Sequence, residues 1–468
     1  MRISHYFLYS SILCFVFTTN VVASSHDSIE VDLSLETNEE VTAQDAIINI
    51  QQDIVASFLN YQNEGNTLTG AQTKLLSDLN ALAAPETTQA QKNTFYEALS
   101  AKKSSTSSNV TRKTPATISV TGISKRLSAL RSQSKRSSFR NSRSRKRNGN
   151  TLPMIFSLDD RDPGEIFDQS NEAGGLFDQR LSGFMTGNVV FSKQSDTATE
   201  TGFDGTTTQL TGGADYRINN QTFAGAALGL VRGSLDMKNN GGELTNNAGT
   251  ILGYGSFNIK PNWYIDGTIS SGVRYFKMTR AITFQLGNNP AVNTSASSEP
   301  ESIYAGFSLG TGFDKTFKNG HNLAFIANFN YNISKIDSFC EGACNNNPQA
   351  YSLKVGSQTI TSKMINLGGQ WSQTISWDWG VLIPQFSVNW VKEFEDKSDS
   401  INASFTNDPS GNTMSFKSGN KDLSFVTVKL AASAIFPRGY SGFFQYETQQ
   451  FVDDYQQYTV SLGARKEF

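Results

Sequence analysis

The chain has 468 residues, enough for several domains, and a formal net charge of −2, which argues against a surface that binds polyanions throughout. With 38 glycines, 11 prolines and 11% aromatic residues, it suits many long strands better than a disordered chain. Its only histidines are His5, His26 and His321, a poor stock for imidazole-based catalysis.

The charge is unevenly spread. Asp27 to Glu64 holds nine carboxylates and no Lys or Arg, whereas Ala101 to Leu158 holds many Lys and Arg and no carboxylate. The opening stretch, MRISHYFLYSSILCFVFTTNVVASS, pairs one early positive charge with an apolar run from Tyr6 to Phe17. It ends in small residues at Ala23 and Ser24, so residues 1–23 read as a Sec signal peptide cleaved between those two. Cys14 lies inside the apolar run behind Ser11-Ile12-Leu13, which is not a lipoprotein pattern. Cys340 and Cys344, in CEGAC, are then the remaining cysteines, and in an oxidising compartment they are a candidate tight-loop disulfide. No histidine is near enough in sequence to complete a metal site, and no cofactor motif is found.

Residues 24–100 read as a small helical region. Ile47, Ile50, Ile54, Phe58 and Tyr61 recur at helical spacing, as do Leu68, Leu75, Leu79 and Leu82, and then Phe95, Tyr96 and Leu99. A region of this size builds only a marginal core by itself. Residues 101–174 read as a basic, Ser-rich linker, including SQSKRSSFRNSRSRKRNGN. An exported chain rarely meets nucleic acid, so lipopolysaccharide, a host glycosaminoglycan or the acidic wall of a pore are better partners for this charge.

Beyond about Leu181, alternation takes over. Leu210, Gly212, Ala214 and Tyr216 oppose Thr211, Gly213, Asp215 and Arg217, and the same two-faced pattern recurs over 303–310 and 426–436. Twelve strands are expected, near 181–193, 205–217, 222–235, 247–260, 262–279, 300–317, 321–336, 358–376, 379–395, 421–436, 440–450 and 455–468. Most are long enough for the roughly 9–11 tilted residues that cross a bilayer. Joins after even-numbered strands are short (NNQ, PN, KNGH, SWDWG, PRGY), whereas those after odd-numbered strands are long and polar, the FVDD join excepted. Short turns at one rim and long loops at the other predict an all-β transmembrane barrel of twelve antiparallel strands over 175–468.

The stretches GFDGTTTQLTGGADYRI, FAGAALGL, NWYIDGTISSGVRYF, FSVNWVKEFEDKS, FPRGYSGFFQYET and YTVSLGARKEF resemble the C-terminal translocator domain of type V autotransporters. The resemblance implies an outer-membrane barrel that exports an N-terminal passenger, with a helix threading the pore before the first strand. It further implies passage through the Sec translocon, insertion by the barrel-assembly machinery, and a monomer. Under it, Tyr458, Val460, Leu462 and the terminal Phe468 form the C-terminal assembly signal, with Lys466 departing from the expected apolar residue. The candidate pore helix is 115–131, with Ile123, Leu127 and Leu130 backed by Lys125, Arg126 and Arg131. Inward glycines at Gly225, Gly229, Gly306 and Gly310 are expected to make room for it, and inward acids such as Asp215 to offset its charge. The typical passenger repeat of short strands is absent from the sequence.

No lipase or protease nucleophile motif is present, so the chain is read as a non-enzyme. Export and surface display of the short N-terminal segment is the leading reading, with adhesion to a host surface ligand as a role within it. The alternative is a non-secreting barrel, channel or structural, with a periplasmic N-terminal domain.

Overall fold

The computed structural model describes residues 43–100, 102–103, 106–107, 111, 181–197, 200–219, 221–317, 320–342, 349–395, 400–417, 423–436 and 440–466. Three helices come first: α1 (Ala43–Asn63), α2 (Gly70–Ala81) and α3 (Gln89–Leu99). Two of them start on capping boxes, in which a threonine and a glutamine three residues on satisfy each other's free backbone N–H groups. Thr69 and Gln72 do this for α2, and Thr88 and Gln91 for α3.

The strands follow as β1 (Leu181–Gln194), β2 (Phe203–Arg217), β3 (Thr222–Met237), β4 (Gly242–Lys260), β5 (Trp263–Phe284) and β6 (Val292–Ser298). Next come β7 (Glu301–Thr316), β8 (His321–Ile336), β9 (Phe339–Cys340), β10 (Leu353–Val355), β11 (Gln358–Gln373) and β12 (Ile375–Trp377). The last are β13 (Gly380–Glu393), β14 (Ser400–Phe405), β15 (Thr413–Lys417), β16 (Ser424–Ile435), β17 (Tyr440–Gln450) and β18 (Tyr455–Lys466). Twelve of them, β1–β5, β7, β8, β11, β13 and β16–β18, form an antiparallel ring. β18 closes the ring on β1 in register from Gly183↔Lys466 to Gln194↔Tyr455. Closure pairs every wall strand on both sides, which a hydrocarbon surround demands. All twelve expected strands are present, and β4 and β5 run several residues further than the alternation alone indicated.

The pleat sorts the side chains. Met185, Leu210, Leu228, Leu230, Ile251, Ile269, Ile303, Phe325, Leu430 and Leu462 point outward and are exposed, forming the apolar band. Among the described residues no helix is long and apolar enough to cross a membrane, so the crossing falls to the strands. Tyr216, Trp263, Trp377, Trp379, Phe436 and Tyr440 cluster beside the short turns, an interfacial girdle in which Trp379 packs between Trp377 and Phe436.

The long joins differ from expectation. They are not simply hydrated loops. The join after β3 is a tight hairpin through Asn239 (φ 55) and Asn240 (φ 53), the paired left-handed residues that a two-residue hairpin turn favours. β6 extends the wall by pairing with β5, and β9, β10, β14 and β15 build a second sheet of four strands in the order β15-β14-β10-β9. Its inner face carries Phe339, Leu353, Val355, Ile401, Ala403, Phe405, Met414 and Phe416, all buried.

Candidate functional site: the lumen and its mouth

The buried inward face of the barrel is mostly uncharged and polar, with Thr186, Asn188, Gln209, Thr211, Thr250, Ser270, Asn330, Asn332, Thr427, Gln445 and Ser461. The inward glycines do not leave open space. Gly225 lies directly across from Tyr254, Gly272 from Tyr304, and Gly312 from Tyr264. A Cβ at Gly225 would lie 2.4 Å from the Tyr254 ring, and one at Gly272 2.3 Å from the Gly249 carbonyl oxygen. Gly306 and Gly310 are filled the same way by Asn332 and Asn328. The expectation that Gly225, Gly306 and Gly310 clear room for a helix is therefore corrected: each accepts the side chain of its partner strand. Asp215 faces inward and is buried, and Asp266 and Asp314 share its inward face toward the short turns.

The N-terminal helices pack at the long-loop end of the barrel. Ile47, Ile54 and Phe58 of α1, Leu75 and Leu79 of α2, Leu82, and Phe95 and Leu99 of α3 are fully or almost fully buried. Their cluster is shared with Leu235, Leu244, Phe276, Met278, Ile282 and Phe284 of the wall and with the second sheet. Phe95 meets Phe284 edge-on at 4.9 Å, and Phe284 in turn meets Tyr351 at 5.4 Å. Each such side chain contributes roughly 1.5–3 kcal/mol on full burial, so the helices gain from the barrel the core that their own length denies them.

Polar contacts fix the docking. Arg280, with no exposed side-chain surface, donates through Nε to Glu341 Oε1 (2.8 Å) and through Nη2 to Glu341 Oε2 (2.5 Å). The same guanidinium donates to the carbonyls of Ala98 at the end of α3 (2.7 Å) and of Tyr351 (2.8 Å). Tyr351 Oη donates to Asp78 Oδ2 at 2.5 Å, and Lys74 Nζ reaches the same carboxylate at 2.8 Å. Burial and the Asp78 carboxylate hold the Tyr351 hydroxyl well above the usual phenol range. Ser57 bonds to Asp408. The capping residues serve twice: Gln72 Nε2 also donates to Asn407 O (3.2 Å) and Gln91 Nε2 to Gly287 O (3.3 Å).

From α3 the chain turns into the mouth. Lys103 is buried, with its ammonium donating to Ala281 O at 3.4 Å, and burial lowers its pKa. Thr106 packs on Met237. Arg274, inward-facing and buried beside the Tyr304 ring, donates through Nη1 to Thr111 Oγ1 at 3.1 Å. On the outer surface of that level stands Tyr275. Residue 111 is thus inside the mouth at the long-loop end, while β1 begins at Leu181 opposite Tyr216, beside the short turns.

Of the residues singled out from sequence, Tyr458, Val460 and Leu462 sit on the outward face of the closing strand, opposite Phe191, Val189 and Gly187. Cys340 is disulfide-bonded. Cys344, Phe468, Ala23, Ser24 and the candidate pore-helix residues Ile123, Lys125, Arg126, Leu127, Leu130 and Arg131 lie outside the described residues. His321 is at a short turn, against the Trp371 ring. Sequence reasoning missed Arg274, Arg280, Glu341, Asp78, Tyr351 and Thr111. Among the described residues no cluster of three or more His, Cys, Asp or Glu side chains offers a metal site.

Residues 183–447 match the model of the autotransporter β-domain. The chain belongs to the autotransporter β-domain family. Members are outer-membrane barrels for passenger export, and membership implies insertion in that membrane by the barrel-assembly machinery after Sec export. Three autotransporter barrels are similar in structure at low identity. The translocator domain of NalP from Neisseria meningitidis is 15% identical, with a TM-score of 0.48, covering 64% of this chain and 91% of that one. The β-domain of Bordetella BrkA is 16% identical, with a TM-score of 0.44, covering 62% and 100%. The transport unit of AIDA-I from Escherichia coli is 11% identical, with a TM-score of 0.38, covering 65% and 97%. Comparison with curated protein sequences finds no match.

Proposed function

We propose that this autotransporter barrel exports its own N-terminal segment and retains it at the cell surface as a fixed helical cap on the long loops. The observation that carries this reading is the path of the chain. Helices α1–α3 share their core with the long-loop end of the barrel, Arg274 holds Thr111 in the mouth, and β1 starts at the far rim. Long loops face outward in barrels of this class, so α1–α3 belong outside, while β1 starts at the opposite rim. A cap bound by a common apolar core and by the buried Arg280, which donates to the Ala98 carbonyl, is suited to stay rather than to be released. Contact with a host surface ligand is the role we assign to it, through its outer face and the surrounding loops.

An epitope inserted after Ser25 tests the export. In intact cells the tag should bind antibody, and trypsin should remove it without permeabilisation. Protection of the tag until the outer membrane is permeabilised would leave a barrel with a periplasmic N-terminal domain, and the reading would fail. Adhesion is tested separately by deleting 43–100 and counting bacteria bound to host cells; unchanged binding would remove that role.

A further inference from the structure

At the long-loop end, the outward face passes from apolar to charged in one step. On each wall strand we take the first outward position beyond the last apolar side chain of the lipid band. It is Lys193 beyond Phe191 on β1, Arg232 beyond Leu230 on β3, Lys277 beyond Tyr275 on β5, and Lys335 beyond Ile333 on β8. It is Lys363 above Ile365 on β11 and Lys392 beyond Trp390 on β13. The remaining strands offer Thr208, Gly249, Glu301, Ser424, Thr448 and Gln456 there. Six cations therefore face one carboxylate.

Two strand residues at a tilt near 40° rise about 5 Å along the membrane normal, which brings these cations from the edge of the hydrocarbon to the level of lipid phosphates. Asp204 lies directly across from Lys193, and the other nearby carboxylates stand further out. Glu299 is 3.8 Å from Lys277 and Asp337 3.8 Å from Lys335, in pairs more than half exposed on both sides. Such pairs bind weakly and leave the ammonium groups able to engage another anion. Glu395 holds Lys363 more closely, at 2.9 Å. At the opposite rim cations are fewer, Lys315 beyond Phe313 and Lys260 across from Trp263, and they stand among aromatic rings including Tyr216, Trp377 and Tyr440. The asymmetry is between leaflets, and only the outer leaflet carries phosphorylated glycolipid.

We propose that Lys193, Arg232, Lys277, Lys335, Lys363 and Lys392 form a belt that binds the phosphates of lipid A in the outer leaflet. Their spread around the wall fits a shell of several lipids rather than one pocket, and charge-assisted bonds from Lys and Arg to phosphate oxygens supply the contact. The belt is independent of the exported segment, so failure of the display reading would leave it untouched.

The test uses the full-length protein purified in detergent and offered bisphosphorylated lipid A, enzymatically dephosphorylated lipid A, or phosphatidylglycerol. Lipid retained per barrel is read by native mass spectrometry. Bisphosphorylated lipid A should be retained at least tenfold over either alternative, and a variant with all six residues changed to Gln should lose that preference. A variant with the five lysines changed to Arg should keep it. Heat-modifiable gel mobility reports whether the Gln variant folds; if it does not, the three-lipid comparison on the native protein decides. Equal retention of dephosphorylated lipid A, equal retention of phosphatidylglycerol, or a preference that survives in a folded Gln variant would each overturn the proposal.

Discussion

Glu341→Ala is the sharpest perturbation of the cap. Glu341 and Arg280 have no exposed side-chain surface, and both carboxylate oxygens accept from the guanidinium. Removing the carboxylate leaves a buried cation whose remaining acceptors are the Ala98 and Tyr351 carbonyls. Breaking a buried pair from one side costs about 3–5 kcal/mol. Both partners stand on the barrel side, Arg280 on β5 and Glu341 just after β9, and the guanidinium reaches the cap through the Ala98 carbonyl. Undocking α1–α3 would let water reach the uncompensated cation, so the loss should fall on docking. At about 1.4 kcal/mol per factor of ten, the population of undocked cap should rise roughly a hundredfold to several-thousandfold. Lys102 and Lys103 are buried in the docked state, and limited trypsin digestion reads their exposure. The cleavage rate after these lysines should climb by that factor, with heat-modifiable mobility of the barrel unchanged. In the double variant Arg280→Met with Glu341→Leu, most of the protection should return, because the uncompensated charge is gone. If cleavage in Glu341→Ala stays at the native rate, or the double variant is cut as fast as the single one, the ion pair does not hold the cap and the reasoning fails.

Phe95→Ala should weaken docking by about 3–5 kcal/mol, since a fully buried ring against Phe284 is lost; hydrogen exchange in α1–α3 should then accelerate while the wall strands stay protected. Gly272→Val should destabilise the barrel by about 1–3 kcal/mol through collision with the Gly249 carbonyl and the Tyr304 ring, read as a lower urea midpoint in micelles. Leu462→Arg, on the lipid face of the closing strand, should cost about 2–4 kcal/mol near the midplane, measured by reversible unfolding in bilayers. For Tyr351, the undocked hydroxyl ionises near its ordinary value of 10.0, while the docked one is held higher. Its share of docking stability is therefore complete below pH 10 and is lost as pH rises above it. Trypsin sensitivity should increase with pH in that range, and less steeply in Tyr351→Phe.

The wall was legible because lipid on one side and a polar lumen on the other impose period-two alternation on every strand, and turn chemistry marks the ends. The three helices were legible for the same reason at period 3.6, from Ile47 to Leu99. The cap's binding partners were not. Ile401, Ala403 and Phe405 alternate in SINASF, and Met414 and Phe416 in TMSFK, but those runs are short and sit among Asn, Ser and Gly that read as hydrated loop. Arg280 and Glu341 are 61 residues apart, and nothing local marks either as buried. The glycines were visible as small, but only strand register puts Tyr254 across from Gly225 and Tyr304 across from Gly272.

The apolar cluster at the mouth has a consequence for inheritance. About a third of it is encoded before residue 100 and the rest from residue 203 onward, on either side of the basic stretch. In a modular secretor, cargo and barrel are interchangeable, and recombination can shuffle them. Here a crossover in the linker would separate Phe95 from Phe284 and Ala98 from Arg280, leaving one bare greasy face on the new cargo and another on the old rim. The two ends of the gene are bound to drift together, so a change in one should be answered by a change in the other across its descendants.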